Sequence, residues 1–426
     1  MRSAEVIAVG SELLGSTRTD TNSLFLSERL SALGIDLRIK SVVGDERGDL
    51  ATVLRQALER TDVVVLTGGL GPTDDDLTRD VVSEVMELPM SEDPAIVEKI
   101  RARFERRGLT MPEVNRRQAM VPRGAIVLDN PNGTAPGLFL DHQWQGRRRI
   151  VILLPGPPRE LQPMFDGVCA GPLRERAGTE RTYRTSLFIT GRGESHVEQK
   201  AQPVYSRWRD MTPPIATTIL AAMGQIELHL SVRDDDDVRA KATLGRAKQE
   251  LLAVVGDDVY STDGRVMEEI LGDLLKERGY TIAAAESCTG GLFTSRLTDV
   301  PGSSTYVRAS VVAYAYEDKT ALLGVPTEML NAHGAVSEPV AVAMAEGIRE
   351  RTGADVTIGI TGIAGPGGGT PDKPVGTVVI AAIVPGQPAY VRTYTFLGGR
   401  AMVKFQATQA AMDRVRRMLT LTQRGF

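Results

Sequence analysis

The sequence predicts an α/β protein built as two α/β domains joined by a smaller α+β segment. Three observations carry this. Short, wholly apolar runs such as Val63-Val64-Val65-Leu66 have the length and character of strands buried on both faces of a parallel sheet. They alternate with segments of helical periodicity, the pattern of helices covering a sheet. The composition is globular, with 426 residues, 42% hydrophobic and 24% charged. At about 100–200 residues per domain that length holds two to four domains.

In chain order, Val6–Val9, Asp36–Val43, Val63–Thr67 and Ile150–Leu154 read as strands. Thr21–Leu33, Gly48–Arg60 and Pro94–Arg107 read as helices. The texture changes near Arg181. Tyr183–Thr190 and Ile226–Arg233 are strand-like, Asp237–Val255 is helical, and the acidic run Asp234–Asp237 suits the cap and first turn of that helix. From Arg265 the α/β pattern returns. Val266–Arg278, Gly291–Leu297, Pro339–Thr352 and Ala401–Leu421 are expected helices; Thr281–Ala285, Val307–Tyr314, Val356–Thr361 and Val375–Val384 are expected strands.

Fifty basic against 54 acidic side chains give a net charge of −4, so the chain has no overall field for nucleic acid or an anionic membrane. Cys169 and Cys288 are too few to staple a chain of this size and fit a reducing compartment. The first ten residues read as a strand rather than a signal peptide, and no apolar run reaches the ~20 residues a membrane span needs. A cytoplasmic protein without a membrane partner is the expectation. His142, His196, His229 and His333 share no metal-ligand spacing.

Two constellations carry chemistry. Thr67-Gly68-Gly69-Leu70-Gly71-Pro72-Thr73 follows a buried strand, so Gly68, Gly69 and Gly71 leave backbone amides open where anions bind at a sheet's carboxyl edge. Asp74-Asp75-Asp76 and Asp80 come next, and phosphate-binding amides beside carboxylates suit a bridging divalent ion. Gly10-Ser11-Glu12, the Asn130–Gly137 segment and Leu154-Pro155-Gly156-Pro157-Pro158 are further pieces that can converge there. Ordinary turn chemistry and helix capping explain the same residues equally well.

In the second, Thr281–Ala285 runs into Glu286-Ser287-Cys288-Thr289-Gly290-Gly291 and then a helix. A hydroxyl on such a turn is either a nucleophile with helix amides facing an oxyanion or simply the helix N-cap. No histidine completes a triad, so Lys319 is the candidate base, provided its pKa is lowered, with Tyr314 as a proton relay or oxyanion donor. Cys288 ranks below Ser287 as a nucleophile. Gly362-Ile363-Ala364-Gly365-Pro366-Gly367-Gly368-Gly369 is a second glycine-rich loop at a strand end, suited to a phosphate or to a flexible surface turn.

GGLGPTDDDLT (Gly68–Thr78), NPNGTAPG and LPGPPRE resemble the molybdopterin-binding-like domain of the CinA family of competence-damage-inducible proteins. ESCTGG, VAYAYEDKTALLGV (Val312–Val325), HGAVSEP, GIAGPGGG and KPVGTV resemble that family's nicotinamide-nucleotide amidase domain, and the middle segment fits its small KH-like linker domain. The resemblance covers the whole chain and implies domains at 1–175, 176–262 and 263–426.

For the C-terminal domain the resemblance implies conversion of nicotinamide mononucleotide (NMN) to nicotinate mononucleotide and ammonia, without a cofactor. Ser287 would be the nucleophile, Lys319 the base and Tyr314 an auxiliary proton carrier. Amides near Thr289 and Gly290 would hold the oxyanion, and the loop bearing Gly362, Gly365, Gly367 and Gly368 the 5′-phosphate. For the N-terminal domain it implies a divalent-metal-dependent ADP-ribose pyrophosphatase. Gly68, Gly69, Gly71, Thr73, Asn132, Gly133 and Thr134 would face the phosphates, and Asp75, Asp76, Glu12 and Asp45 the metal.

The family usually has Ser-Asn where this chain has Ala315-Tyr316, so Tyr316 competes with Tyr314 as the phenolic partner. One alternative is a non-catalytic nucleotide- or pterin-binding protein whose C-terminal domain is disabled by Tyr316; another is an interaction protein with a role in competence and DNA uptake, supported only by the basic tail Arg414, Arg416 and Arg417. KH recognition of RNA needs a G-x-x-G loop, and the middle segment has only Gly191-Arg192-Gly193, so nucleic acid is not the leading partner. The tail arginines are expected on a solvated helix face, at the helix dipole or at a subunit contact, and a homodimer is the expected assembly.

Overall fold

The computed structural model describes residues Ser3 to Leu421 and divides into two compact units. One holds the chain up to Tyr183 with Arg233–Ala240; the other holds Arg184–Val232 and the described chain from Lys241 onward.

The first unit contains a six-stranded sheet in the spatial order Asp36–Val43, Ser3–Val9, Val63–Thr67, Arg147–Leu154, Gly137–Trp144, Ile126–Leu128. The first four are parallel and the last two add antiparallel. Strand side chains alternate between faces, and here both faces are covered. Val63 and Val65 pack with Leu26, Leu30 and Phe165 of helices Asn22–Ala32 and Pro158–Ala170. Val64 and Leu66 pack with Leu50, Leu54, Val81 and Val82 of helices Arg47–Arg60 and Thr78–Val85. Strand Ser3–Val9 is flanked by the second strand on one side and the third on the other. The loops leaving strands Ser3–Val9 and Val63–Thr67 therefore part in opposite directions and open a crevice at the carboxyl edge.

The second unit contains a five-stranded sheet in the order Val307–Val312, Ile282–Glu286, Val356–Gly362, Thr377–Ile383, Tyr390–Thr395. The first three strands are parallel and the last two antiparallel. Helices Met267–Arg278 and Arg400–Leu421 pack on one face and Glu338–Thr352 on the other. The sheet of the middle segment runs Ile215–Ala222, Gln225–Asp234, Arg181–Thr190, Val259–Ser261. Phe188 and Tyr260 from it share a core with Met267, Leu271 and Leu275.

The tail arginines depart from the expected solvated face. Arg416 and Arg417 both bind Asp413; Arg416 also donates to the Asp257 carbonyl at 2.9 Å, and Arg417 donates to Asp258 at 3.1 Å. Arg414 lies 3.8 Å over the Tyr390 ring. These charges fasten the final helix to its own unit. Among the described residues no helix is long and apolar enough to cross a membrane.

Candidate active sites

In the first unit a cleft of about 860 Å³ opens at that carboxyl edge. The sheet topology brings Glu12, Asp45, Gly68, Gly69, Gly71, Asp75, Asp76, Asn132, Gly133 and Thr134 to its walls. Thr73 is not among the lining residues; its hydroxyl and its N–H both donate to Asp76. Asp76 also accepts the Gly71 N–H at 2.7 Å, so its carboxylate holds the loop shut from within. The Gly68 N–H donates to the Leu154 carbonyl at 2.9 Å. Of the three glycines only Gly69, with its neighbour Leu70, keeps an amide without a partner among the described residues. Both Gly68 and Gly69 are left-handed, at φ 96° and 63°, and a Cβ on either would lie 2.2 Å from an oxygen (Val9 carbonyl and Thr78 hydroxyl).

Arg79 was not anticipated. It is buried, donates to the carbonyls of Leu70 at 2.7 Å and Gly71 at 3.1 Å, and has its pKa lowered by burial to about 10. By drawing those carbonyls inward it fixes the loop's peptide orientation. Asp74 and Asp80 lie beside Arg117 rather than in the cleft wall.

The four acidic residues expected to hold a metal do not form a complete cage. Among the described residues no group of three or more His, Cys, Asp or Glu side chains could hold an ion. Asp76 is committed to the loop, and Asp45 accepts the Ser11 N–H at 2.8 Å. Glu12, Asp45 and Asp75 remain in the cleft wall, but they do not converge as a three-carboxylate group.

In the second unit, strand Ile282–Glu286 ends at Ser287, whose N–H donates to the Ile360 carbonyl at 2.9 Å. Gly290 and Gly291, at φ 62° and 91°, make the turn into helix Leu292–Thr298. Neither Ser287 nor Thr289 caps that helix. The wholly buried Glu286 does so instead, accepting the N–H groups of Phe293 at 3.1 Å and Thr294 at 3.0 Å. The Gly290 N–H donates to the Ser287 carbonyl at 3.0 Å, so the expected oxyanion role does not fall to Gly290 in this arrangement. Thr289 is buried, its hydroxyl unpartnered, and its N–H finds no backbone acceptor among the described residues.

Lys319 reaches this turn from helix Tyr316–Leu323. Its Nζ lies 3.2 Å from Ser287 Oγ, 2.9 Å from the Ala313 carbonyl and 3.2 Å from the Tyr314 carbonyl. The side chain is 1% exposed, and burial pulls its pKa below the ordinary lysine value. Cys288 is buried beside it, and burial pushes its thiol up to about 12, which leaves it protonated at neutral pH.

Tyr314 meets Lys319 through its carbonyl. The residue is 57% exposed and its hydroxyl accepts from Arg400 at 2.7 Å. Arg400 also donates to the Gly365 carbonyl at 2.7 Å, which brings the Gly362–Gly369 loop beside Tyr314. Sequence reasoning missed Arg400; its signal was a basic residue opening a helix directly after Gly398-Gly399. Gly362 ends its strand with its Cα packed on Val378 and the Thr377 carbonyl, while Gly367 and Gly368 are open to solvent. The Tyr316 hydroxyl accepts the Ala335 N–H at 3.1 Å, so the phenol ties its helix to the HGAVSEP segment instead of approaching Lys319.

The family model described as "CinA C-terminal domain" matches residues 264–419, and "Probable molybdopterin binding domain" matches residues 5–175. A CinA-like protein of Koribacter versatilis is 44% identical over 416 residues, covering 98% of this chain and 99% of that one. A putative competence-damage inducible protein of Symbiobacterium thermophilum is 45% identical over 426 residues, covering 98% of each. Among solved structures, competence/damage inducible protein CihA from Agrobacterium tumefaciens is 34% identical with a TM-score of 0.35, covering 36% of this chain and 93% of that one.

Proposed function

The chain belongs to the CinA family, and on that premise we propose that its C-terminal domain is a serine amidase that converts NMN to nicotinate mononucleotide and ammonia. The observation that carries the proposal is the 3.2 Å contact between Lys319 Nζ and Ser287 Oγ in a buried setting that lowers the lysine pKa. A serine hydroxyl needs a base, and a desolvated lysine is a suitable one.

The neutral Lys319 amine takes the proton of Ser287 Oγ as that oxygen attacks the carboxamide carbon of the nicotinamide ring. The resulting ammonium returns the proton to the leaving nitrogen, the C–N bond breaks, and ammonia departs from a seryl ester. Water then gives a proton to Lys319 and attacks the ester carbon. Lys319 returns that proton to Ser287 Oγ as the C–Oγ bond breaks, and the nicotinate product leaves after giving its acid proton to solvent. The Thr289 N–H, which has no backbone acceptor among the described residues, would be a donor for the oxyanion. Arg400, bonded to both Gly365 and Tyr314, would supply a cation beside the Gly362–Gly369 loop for a phosphorylated substrate.

The same proposal gives the N-terminal cleft a nucleoside pyrophosphate of the ADP-ribose kind. A divalent ion there would be held mainly by the ligand's phosphates, with no more than two of the wall carboxylates Glu12, Asp45 and Asp75, and it would polarise the phosphate oxygens.

The test is ammonia release from NMN by the whole chain, beside Ser287→Ala. Release by the wild type and its loss in the folded variant is the expected result. No release from folded wild type, or full release by Ser287→Ala, overturns the amidase reading.

A further inference from the structure

A second cavity, of about 400 Å³, adjoins the N-terminal cleft and shares Arg103, Gly133 and Thr134 with it. Its walls differ from the cleft's. Ile96, Ile100, Val127 and Pro136 give it an apolar stretch, and the wall also holds Arg106 and the Lys99–Asp129 pair at 3.1 Å. The cleft is the more polar of the two, its walls including the glycine loop, the carboxylates of Glu12, Asp45 and Asp75, and Arg18, Arg103, Arg107 and Arg159. None of these four arginines has a carboxylate within 4 Å among the described residues. Arg103 stands where the two cavities meet, its guanidinium donating to the Pro131 carbonyl at 2.9 Å.

We propose that the side cavity is the nucleoside subsite of this cleft: a ligand lays its two phosphates between the glycine loop and the arginines and turns its base past Arg103 into the Ile96–Ile100–Val127 pocket. This rests on reading the cleft as a nucleoside pyrophosphate site and adds which part of the ligand sets specificity. The chemistry on each side of Arg103 matches the two ends of such a ligand. Unpaired guanidinium groups suit phosphate oxygens, and an apolar slot of ligand-binding size suits a flat heterocycle. A free phosphate or a sugar phosphate would leave the slot empty.

The experiment titrates the whole chain, with magnesium present, with ADP and with methyl diphosphate, which carries the same two phosphates and no nucleoside. Wild type is expected to bind ADP at least about tenfold more tightly, which is about 1.4 kcal/mol. Val127→Trp fills the slot from a half-exposed edge position; it should keep the affinity for methyl diphosphate and lose the ADP advantage. Equal binding of the two ligands by wild type overturns the subsite without any variant, and so does a folded Val127→Trp that keeps the preference. If wild type binds neither ligand, the nucleotide reading of the cleft fails and the subsite with it.

Discussion

Two opposing effects act on Lys319. Burial favours its neutral form, while the carbonyls of Ala313 and Tyr314 and the charge of Asp318 favour the ammonium; burial dominates. Because the neutral amine is the form that takes a proton, the amidase rate should rise with pH through the lowered pKa and level off below the ordinary lysine range. A pH–rate profile checks this, and a limb that keeps rising through pH 10.5 counts against Lys319 as the base. Asp318→Asn removes a charge that supports the ammonium and should move the inflection to lower pH. Lys319→Arg keeps the charge but cannot deprotonate under these conditions. It should cost about a thousandfold in kcat, with the melting temperature checked to separate lost chemistry from lost packing. The sequence already offered Ser287 and Lys319, but only the parallel pairing of Ile282–Glu286 with Val307–Val312 brings together residues 32 positions apart. The Tyr314 hydroxyl illustrates the limit: its position depends on Arg400, 86 residues away.

At the scale of the element, the glycine loop owes its shape to Asp76 and Arg79, which act from opposite ends of its peptides. Asp76→Asn replaces an acceptor of two backbone N–H groups with a weaker, uncharged one. Faster amide exchange at Gly71 and Thr73 and weaker ADP binding are expected. Asp75→Asn accepts none of those backbone bonds and should leave the exchange unchanged while altering only the magnesium dependence of binding. Identical exchange in the two variants would show that Asp76 does not hold the loop. The antiparallel hairpin of the same unit gives a second case. Arg148, with Arg176, holds the Asp141 carboxyl at about 2, against desolvation. A carboxylate with a depressed folded pKa stabilises above its unfolded value and loses that contribution as pH falls from about 4 to about 2. Asp141→Asn should cost up to about 2 kcal/mol at neutral pH and flatten this acid limb in urea titrations.

The same hairpin shows what pattern reading could and could not find. Val63–Thr67 was legible because burial on both faces leaves a continuous apolar run. Gly137–Trp144 carries polar residues at its far end, and Tyr390–Thr395 is a half-exposed edge strand, so neither leaves that trace. The converging pieces of the cleft were legible because each follows a strand at the same sheet edge. The loss of Gly68 and Gly71 as phosphate donors was not, since it depends on which carbonyl each amide meets.

For the whole molecule, every residue of the N-terminal cleft lies in the first compact unit and every residue of the Ser287 site in the second. The final helix of the second unit depends on Asp413, whose carboxylate is 12% exposed and takes both Arg416 and Arg417. Asp413→Ala would leave two largely buried guanidinium groups without that partner, at a cost of about 2–3 kcal/mol. If the units unfold separately, calorimetry of the variant should show one transition lowered and the other unmoved. ADP with magnesium should raise only the unmoved one, since a ligand stabilises the unit that binds it. Ser287→Ala should abolish ammonia release and leave the ADP-dependent shift intact, because Ser287 supplies nothing to the cleft. If ADP raises both transitions together, or if Asp413→Ala lowers both, the units unfold as one cooperative body and the two sites are thermodynamically linked.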